Sequence, residues 1–139
     1  MRILGLDVGE KKIGVAVSDA LGITAQGLRT LARDDKKGEI NAILEIIKEM
    51  KVSKIVVGLP LNMNGTKGPK AEDASLFAEV LRRQSNIPVE LWDERLTTAE
   101  AKRLLLIADV SRMKRKRLDD KMAAQLILQS YLDSLDKRI

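Results

Sequence analysis

The sequence predicts an α/β fold in which a mixed five-stranded sheet is flanked by helices. The first third of the chain contains short runs rich in β-branched residues, separated by glycine-containing turns, and such runs pair as antiparallel hairpins. The rest alternates apolar runs of strand length with segments of helical periodicity, which is typical of parallel βαβ units. The 139 residues and the short linkers indicate one domain over residues 1–139.

Three strands open the predicted fold. Val15 and Val17 favour β structure in the second strand, and the short, glycine-containing connection before it favours a hairpin. The strands are predicted at residues 2–8, 13–19 and 24–31, with a turn at residues 9–12.

Helices and strands alternate after a polar break at residues 34–38. Ile40, Ile43 and Ile47 follow the spacing of one helix face, which predicts a helix over residues 39–50. The continuous apolar run at residues 54–59 is typical of a strand that is covered on both faces. The remaining elements are predicted as a loop at 60–69, a helix at 71–83, a strand at 89–92, a helix from the capping box at 97–100 to about residue 107, a basic connection at 108–117 and a helix at 119–135.

The composition limits the chemistry that this chain can perform. It contains no Cys and no His, which excludes thiol catalysis, zinc–thiolate sites, Ser-His-Asp triads and histidine general bases. Any hydrolytic reaction must therefore use carboxylates, lysines, hydroxyls or a metal held by oxygen ligands. The net charge of +5 favours an anionic partner such as nucleic acid. Aromatic residues make up only 2%, so contacts to phosphates are expected rather than a base-stacking platform, with Trp92 and Tyr131 in the core.

The chain is not expected to associate with a membrane. No apolar run reaches the roughly 18 residues that a membrane-spanning helix needs. The apolar stretch at the N-terminus is short and contains Asp7, which makes it a poor signal peptide. These features predict a cytoplasmic protein.

Asp7 lies inside an otherwise apolar strand. Because side chains alternate along a strand, Ile3, Gly5 and Asp7 share one face. An ionised carboxylate on a covered face costs free energy unless it is paired, hydrogen-bonded or bound to a cation. Acidic residues occur at two further places that could meet it, namely Asp93-Glu94 at the end of a predicted strand and Asp120 in the first turn of the last helix.

Three carboxylates at one edge of a sheet would repel one another, and a hard divalent cation such as Mg²⁺ relieves that repulsion. Two such ions about 4 Å apart can activate water and stabilise the leaving oxygen in phosphodiester cleavage. Simpler interpretations remain open from the pattern alone. A single Asp at an element end is commonly a turn or cap residue, as expected for Asp119, and Asp93 or Glu94 could pair with Arg95.

A basic segment precedes Asp120. Its placement beside a candidate acid favours contacts to phosphates, which give affinity and salt dependence but little sequence specificity. A solvated charge run is the alternative. Lys11 and Lys12 extend the same expected surface, whereas Arg95 is expected to pair with a carboxylate more than with the scissile phosphate. The cations of the segment are Arg112, Lys114, Arg115, Lys116 and Arg117.

Four segments, taken together in this order, resemble the YqgF family, also called RuvX, in the RuvC-like branch of the ribonuclease H superfamily. They are GLDVGEKKIGVAVSD (5–19), VVGLPLNMNGT (56–66), DERLTTAEA (93–101) and DDKMAAQLIL (119–128). The resemblance spans nearly the whole chain and implies a ribonuclease H-like sheet whose first three strands are antiparallel. By position it implies that Asp7, Glu94 and Asp120 are the catalytic metal ligands, with Asp93 in reserve, and that Mg²⁺ or Mn²⁺ is the cofactor.

The chain departs from RuvC at the second acid. In RuvC this acid follows the fourth strand, where the present chain has Gly58-Leu59-Pro60. The YqgF pattern transfers the role to the fifth strand, and the sequence alone favours Glu94 over Asp93 only weakly.

The resemblance implies a metal-dependent nuclease and leaves its substrate divided. Processing of the 5′ end of pre-16S rRNA, with a ribosomal particle as a possible partner, is favoured over resolution of Holliday junctions. A resolvase acts on a two-fold symmetric substrate as a dimer. Because no apolar patch in the sequence clearly indicates a dimer interface, a monomer or weak homodimer is expected. Two other functional classes are weighed against the nuclease. One is a non-catalytic nucleic-acid-binding module. The other is an actin-like ATPase, which has a similar Asp-x-Gly hairpin but needs a longer chain.

Overall fold

The computed structural model describes residues 1–96 and 120–136 and, within the second range, the side chains of residues 121–135. The strands are β1 (Arg2–Val8), β2 (Lys12–Ser18), β3 (Ala25–Ala32), β4 (Val52–Leu59) and β5 (Val89–Asp93). The helices are α1 (Lys36–Met50), α2 (Pro69–Ser85) and α3 (Asp120–Asp136), and a 3₁₀ turn, Glu94–Leu96, follows β5.

The five strands form one mixed sheet in the order β3-β2-β1-β4-β5. β2 pairs antiparallel with both β1 and β3, whereas β4 is parallel to β1 and to β5. The predicted fold class, with its first three strands antiparallel, is therefore confirmed. β1 lies at the centre of the sheet, so Asp7 near its carboxyl end is flanked by the ends of β2 and β4.

The larger core lies between the sheet and helices α1 and α2. Alternate residues of β1, β2 and β4 point into it, because a strand presents every second side chain to the same face. Its fully buried members include Leu4, Leu6, Ile13, Val15, Ile43, Ile55, Val57 and Leu81.

Helix α3 covers the other face of the sheet at close range. A Cβ atom on Gly5 would lie 2.7 Å from the Cβ of Leu128 and 3.3 Å from the carbonyl oxygen of Ala124. Glycine at position 5 therefore lets the helix backbone approach the central strand. Trp92 and Tyr131 belong to this core, as predicted, and their rings meet edge to face with centroids 5.4 Å apart.

The main difference from the predicted elements is at the start of α1. The prediction placed a polar break at residues 34–38, whereas the helix begins at Lys36. The side chain of Asp35 caps it by accepting hydrogen bonds from the amides of Lys37 (3.3 Å) and Gly38 (3.2 Å). The first three residues of the helix, 36–38, are exposed, so they carry none of the apolar residues on which the prediction relied.

The other described elements differ from their predicted bounds by up to two residues at either end. The predicted helix at 97–107, the basic connection at 108–117 and the Asp119 cap lie outside the described residues. None of the helices in the described ranges combines the length and apolar character needed to span a membrane.

Candidate active site

Asp7 lies near the carboxyl end of β1, in register with Gly14 of β2. Its neighbours Leu6 and Val8 are buried in the core against α1 and α2. By strand alternation, Asp7 projects to the opposite face, the one that α3 covers. Its side chain is half-buried there.

Glu94 reaches the same face from β5. A Cβ atom on Gly58 would lie 2.8 Å from Oε2 of Glu94 and 2.6 Å from Cδ1 of Ile127, which belongs to α3. The carboxylate of Glu94 thus lies over Gly58, in the space that a side chain at position 58 would fill. In the parallel pairing of β1 with β4, Leu6 is level with Val57, so the next residues along the two strands are Asp7 and Gly58. Asp7 and the Glu94 carboxylate therefore share a face and a level of the sheet.

Asp93 takes a different direction. Leu91, two residues earlier on β5, packs against the core on the α1 and α2 side, so alternation turns Asp93 to that side too. The carboxylate of Asp93 pairs with Arg95 (Oδ2 to Nη2, 2.8 Å) and accepts a hydrogen bond from the Arg95 amide (2.9 Å). The hydrogen-bonded Arg95 guanidinium holds the pKa of the Asp93 carboxyl below its ordinary value. The same guanidinium donates to the carbonyl oxygen of Met63 (3.2 Å), so Asp93 and Arg95 fasten the turn that carries Glu94.

Asp120 begins α3 on the face that carries Asp7. The next residue, Lys121, lies against Gly27 of β3, and one turn later Ala124 lies against Gly5. The side chain of Asp120 is outside the described residues. Within the described part of the chain, no three Asp, Glu, His or Cys side chains form a group that could hold a metal ion, and the predicted set has two of its members there.

The predicted nucleic-acid contacts fall partly within the described structure. Lys11 and Lys12 are exposed at the junction of β1 and β2, at the same end of the sheet as Asp7. Arg95 makes the ion pair that was expected of it. The cations of the basic segment, Arg112, Lys114, Arg115, Lys116 and Arg117, lie outside the described residues.

The loop between β4 and α2 uses its polar groups internally. The amide of Asn62 donates to the carbonyl oxygen of Thr66 (2.9 Å), and the hydroxyl of Thr66 donates to Oδ1 of Asn64 (2.7 Å). Gly65 has a φ of 86°, a conformation that favours glycine. The described hydrogen bonds therefore favour a tight connection between β4 and α2 over a loop that contacts phosphate.

Arg33 contacts this end of the sheet, although the sequence did not single it out. Its amide donates to the carbonyl oxygen of Lys11 (2.9 Å), and its Nη1 donates to the carbonyl oxygen of Gly9 (2.8 Å). The side chain also pairs with Glu39 and Asp73. No local pattern signals these contacts, because Gly9 and Asp73 are 24 and 40 residues away in the sequence.

Comparisons with known proteins agree with the fold. A protein from Geobacillus sp. (strain WCH70) is 58% identical over 136 residues, covering 96% of this chain and 99% of the relative. One from Bacillus subtilis (strain 168) is 54% identical over 138 residues, covering 98% of this chain and all of the relative. Both carry the name "Putative pre-16S rRNA nuclease".

Solved structures show the same fold at low identity. RuvC of Thermus thermophilus, in complex with a Holliday junction substrate, superposes with a TM-score of 0.65 at 17% identity, covering 98% of this chain and 96% of RuvC. The fowlpox virus Holliday junction resolvase gives a TM-score of 0.56 at 16% identity, covering 97% of this chain and 99% of the resolvase. The family model described as "RuvX: Holliday junction resolvase" matches residues 1–134. The chain therefore belongs to the RuvX family.

Proposed function

We propose that this protein is a cytoplasmic, metal-dependent nuclease that hydrolyses phosphodiester bonds and processes the 5′ end of pre-16S rRNA. One observation carries the proposal. Asp7 and the Glu94 carboxylate lie at one level of one sheet face, on which the helix headed by Asp120 also begins. The family match and the names of the relatives support a nuclease.

The residues present fit a hard divalent cation. The chain offers carboxylate oxygens, which such a cation prefers, and it contains no Cys or His. Gly58 leaves open the space into which the Glu94 carboxylate extends. In this proposal Asp7, Glu94 and Asp120 would hold Mg²⁺ or Mn²⁺. When bound, such an ion supplies an activated water and charge stabilisation for the leaving oxygen.

The protein contributes fixed positions for the two described acids. Asp7 lies on the central strand, whose pairing with β2 and β4 restrains the backbone on both sides. Glu94 begins a turn that the Asp93–Arg95 pair and the Met63 carbonyl hold in place. Pre-positioned charged groups lower a barrier because they need not reorganise during the reaction.

The cations hold the nucleic acid in this proposal. Lys11 and Lys12 are exposed beside Asp7, and the basic segment at 112–117 directly precedes α3 in the sequence. Contacts of lysine and arginine to phosphate position a substrate without reading its bases. The enzyme then recognises the shape of a folded RNA. A ribosomal particle that contains this RNA is the proposed partner. A monomer or weak homodimer is enough for this reaction.

Holliday junction resolution is the second candidate. The description of the family model and the RuvC complex with a junction favour it. Resolution would require two copies of this chain arranged around the two-fold axis of the junction.

Cleavage assays with matched variants test the function. A 5′-extended 16S precursor RNA and a four-way DNA junction are offered with Mg²⁺ or Mn²⁺ to the wild type, Asp7→Asn, Glu94→Gln and Asp93→Asn. We expect cut RNA and an intact junction, with cleavage abolished in the first two variants while circular dichroism and RNA binding stay near those of the wild type. Asp93→Asn should lower the cleavage rate less than Glu94→Gln does, because it loosens the turn that carries Glu94 but removes no proposed metal ligand.

Each other result has a defined meaning. Full activity in Asp7→Asn would exclude Asp7 as a metal ligand. Loss of activity in Asp93→Asn but not in Glu94→Gln would mean that Asp93, rather than Glu94, is the second metal ligand. Cleavage of the junction alone would establish a resolvase, and no cleavage of either substrate would favour a non-catalytic binding module.

A further inference from the structure

The guanidinium of Arg33 is enclosed by groups from two helices. Its Nε lies 3.0 Å from Oε2 of Glu39 on α1, and its Nη1 lies 2.6 Å from Oδ2 of Asp73 on α2. Its central carbon lies 5.6 Å from the centroid of the Phe77 ring. The side chains of Arg33 and Glu39 are only 12% and 3% exposed. The planar guanidinium uses its donors for five hydrogen bonds to two carboxylates and a carbonyl, whereas an ammonium group has only three donors on a flexible stem.

The same network holds the turn that follows Asp7, at residues 9–12. The amide of Gly9 donates to the carbonyl oxygen of Lys12 (2.9 Å), which closes the turn. Arg33 then holds the Gly9 carbonyl through its side chain and the Lys11 carbonyl through its amide. The carbonyls of Gly9, Lys11 and Lys12 are therefore all engaged, and both lysine side chains remain exposed.

The network and the candidate acids occupy opposite faces of the sheet. Phe77 and the residues around it belong to the core between the sheet and the helices α1 and α2. Asp7 projects to the face covered by α3. Arg33 can therefore restrain the backbone two residues beyond Asp7 without approaching its carboxylate or the space in which a substrate would lie.

We propose that Arg33 is a positioning residue of the active site. Through Glu39 and Asp73 it fixes the Gly9–Lys12 turn to α1 and α2, and thereby sets the position of Asp7 and the presentation of Lys11 and Lys12. The proposal rests on the proposed nuclease function. Its expected size follows from the sensitivity of catalysis to placement, since a displacement of about 1 Å can reduce a rate roughly 100-fold.

Two variants and one matched control test the role. Arg33→Lys keeps the charge but loses the planar fork. Arg33→Met combined with Glu39→Gln removes the fork without leaving a buried carboxylate unpaired. The control is Arg82→Met, because Arg82 also pairs with a carboxylate, that of Glu79, and donates to a backbone carbonyl (Val89, 2.8 Å), but at the opposite end of the sheet.

Two readouts are measured well below the unfolding temperature of each variant. The first is kcat and KM for cleavage, per folded molecule. The second is hydrogen exchange of the amides at residues 9–12 in EDTA, which does not depend on activity. In both Arg33 variants we expect kcat to fall at least ~10-fold, because Asp7 is displaced, and KM to rise, because Lys11 and Lys12 are no longer held in place. Exchange at residues 9–12 should be faster than in the wild type, whereas exchange in the core strands should stay unchanged. The control should match the wild type in both readouts.

The alternatives are separable. A structural role without positioning would lower the unfolding temperature and leave kcat and the exchange of the turn unchanged, which would overturn the proposal. Restoration of kcat by Arg33→Lys would also overturn it, because charge alone would then suffice. If the wild type cleaves neither substrate, the proposed function fails instead. Unchanged exchange at residues 9–12 in the Arg33 variants would then reject the restraint by Arg33 as well.

Discussion

At the scale of single residues, Gly58 leaves the space that the second proposed acid, Glu94, occupies. Because it has no side chain, the Glu94 carboxylate from the neighbouring strand occupies the space above it. The nearest described atoms to a methyl group there belong to the ends of two flexible side chains, Glu94 and Ile127. At Gly5, by contrast, it would meet Cβ of Leu128 and the carbonyl of Ala124, which belong to the body of the α3 helix.

The two glycines should therefore respond differently to alanine. Gly5→Ala forces α3 away from the sheet and should lower the free energy of unfolding by about 1–3 kcal/mol. Gly58→Ala should cost less than that, because side-chain rotation relieves the contacts, yet it displaces Glu94 and should reduce the cleavage rate at least ~10-fold. Urea unfolding and single-turnover cleavage measure the two effects. Unchanged cleavage in Gly58→Ala would show that the acid does not need this space.

Individual residues also show what the sequence could and could not predict. The placement of Asp7 followed from strand alternation, which is a local rule. Asp93 and Glu94 could not be separated from sequence because they are adjacent. Their faces follow from the packing of Leu91 against the core and from the contact of Glu94 with Gly58. Arg33 was missed because its partners are distant in the chain.

At the scale of elements, the start of α1 shows what could not be predicted from the sequence. The periodic apolar residues predicted the helix but not its first three residues, which are exposed and follow a cap. Strands with continuous apolar runs were predicted well, since burial on two faces leaves a clear pattern.

The cap itself can be tested against its neighbour. Asp35→Ala removes the acceptor for two amides and should lower the free energy of unfolding by about 0.5–2 kcal/mol. Asp34→Ala removes an equal charge from an exposed residue one position earlier and should have little effect. Equal effects in urea unfolding would mean that net charge, rather than the cap, stabilises the first turn.

At the scale of the whole molecule, the order of strands and helices was enough to predict the sheet. Short connections and the preference for right-handed crossovers leave few ways to combine a meander with two βαβ units. The convergence of the acids could not be predicted with the same strength, because it depends on how α3 is laid across the sheet.

The distribution of charge between the two ends of the sheet gives a further test. Lys11 and Lys12 lie at the end with Asp7, whereas Lys48 and Arg83 are exposed near the ends of α1 and α2 at the other. In EDTA, Lys11→Gln with Lys12→Gln should weaken RNA binding and reduce the slope of log K against log salt by up to about 1.4–1.8, at about 0.7–0.9 per lost phosphate contact. Lys48→Gln with Arg83→Gln removes the same charge and should leave the slope unchanged. Equal changes would indicate a general effect of net charge.

The contact between Gly58 and Glu94 affects how related proteins are compared. In the proposed site the acid beside Asp7 comes from the turn after β5, because adjacent strands are only about 4.8 Å apart and a glutamate side chain spans that gap. An alignment that is read column by column finds a glycine at position 58 and misses the carboxylate that lies over it. Nucleases of this fold are therefore better compared by where oxygen atoms cluster than by which position in the chain supplies them.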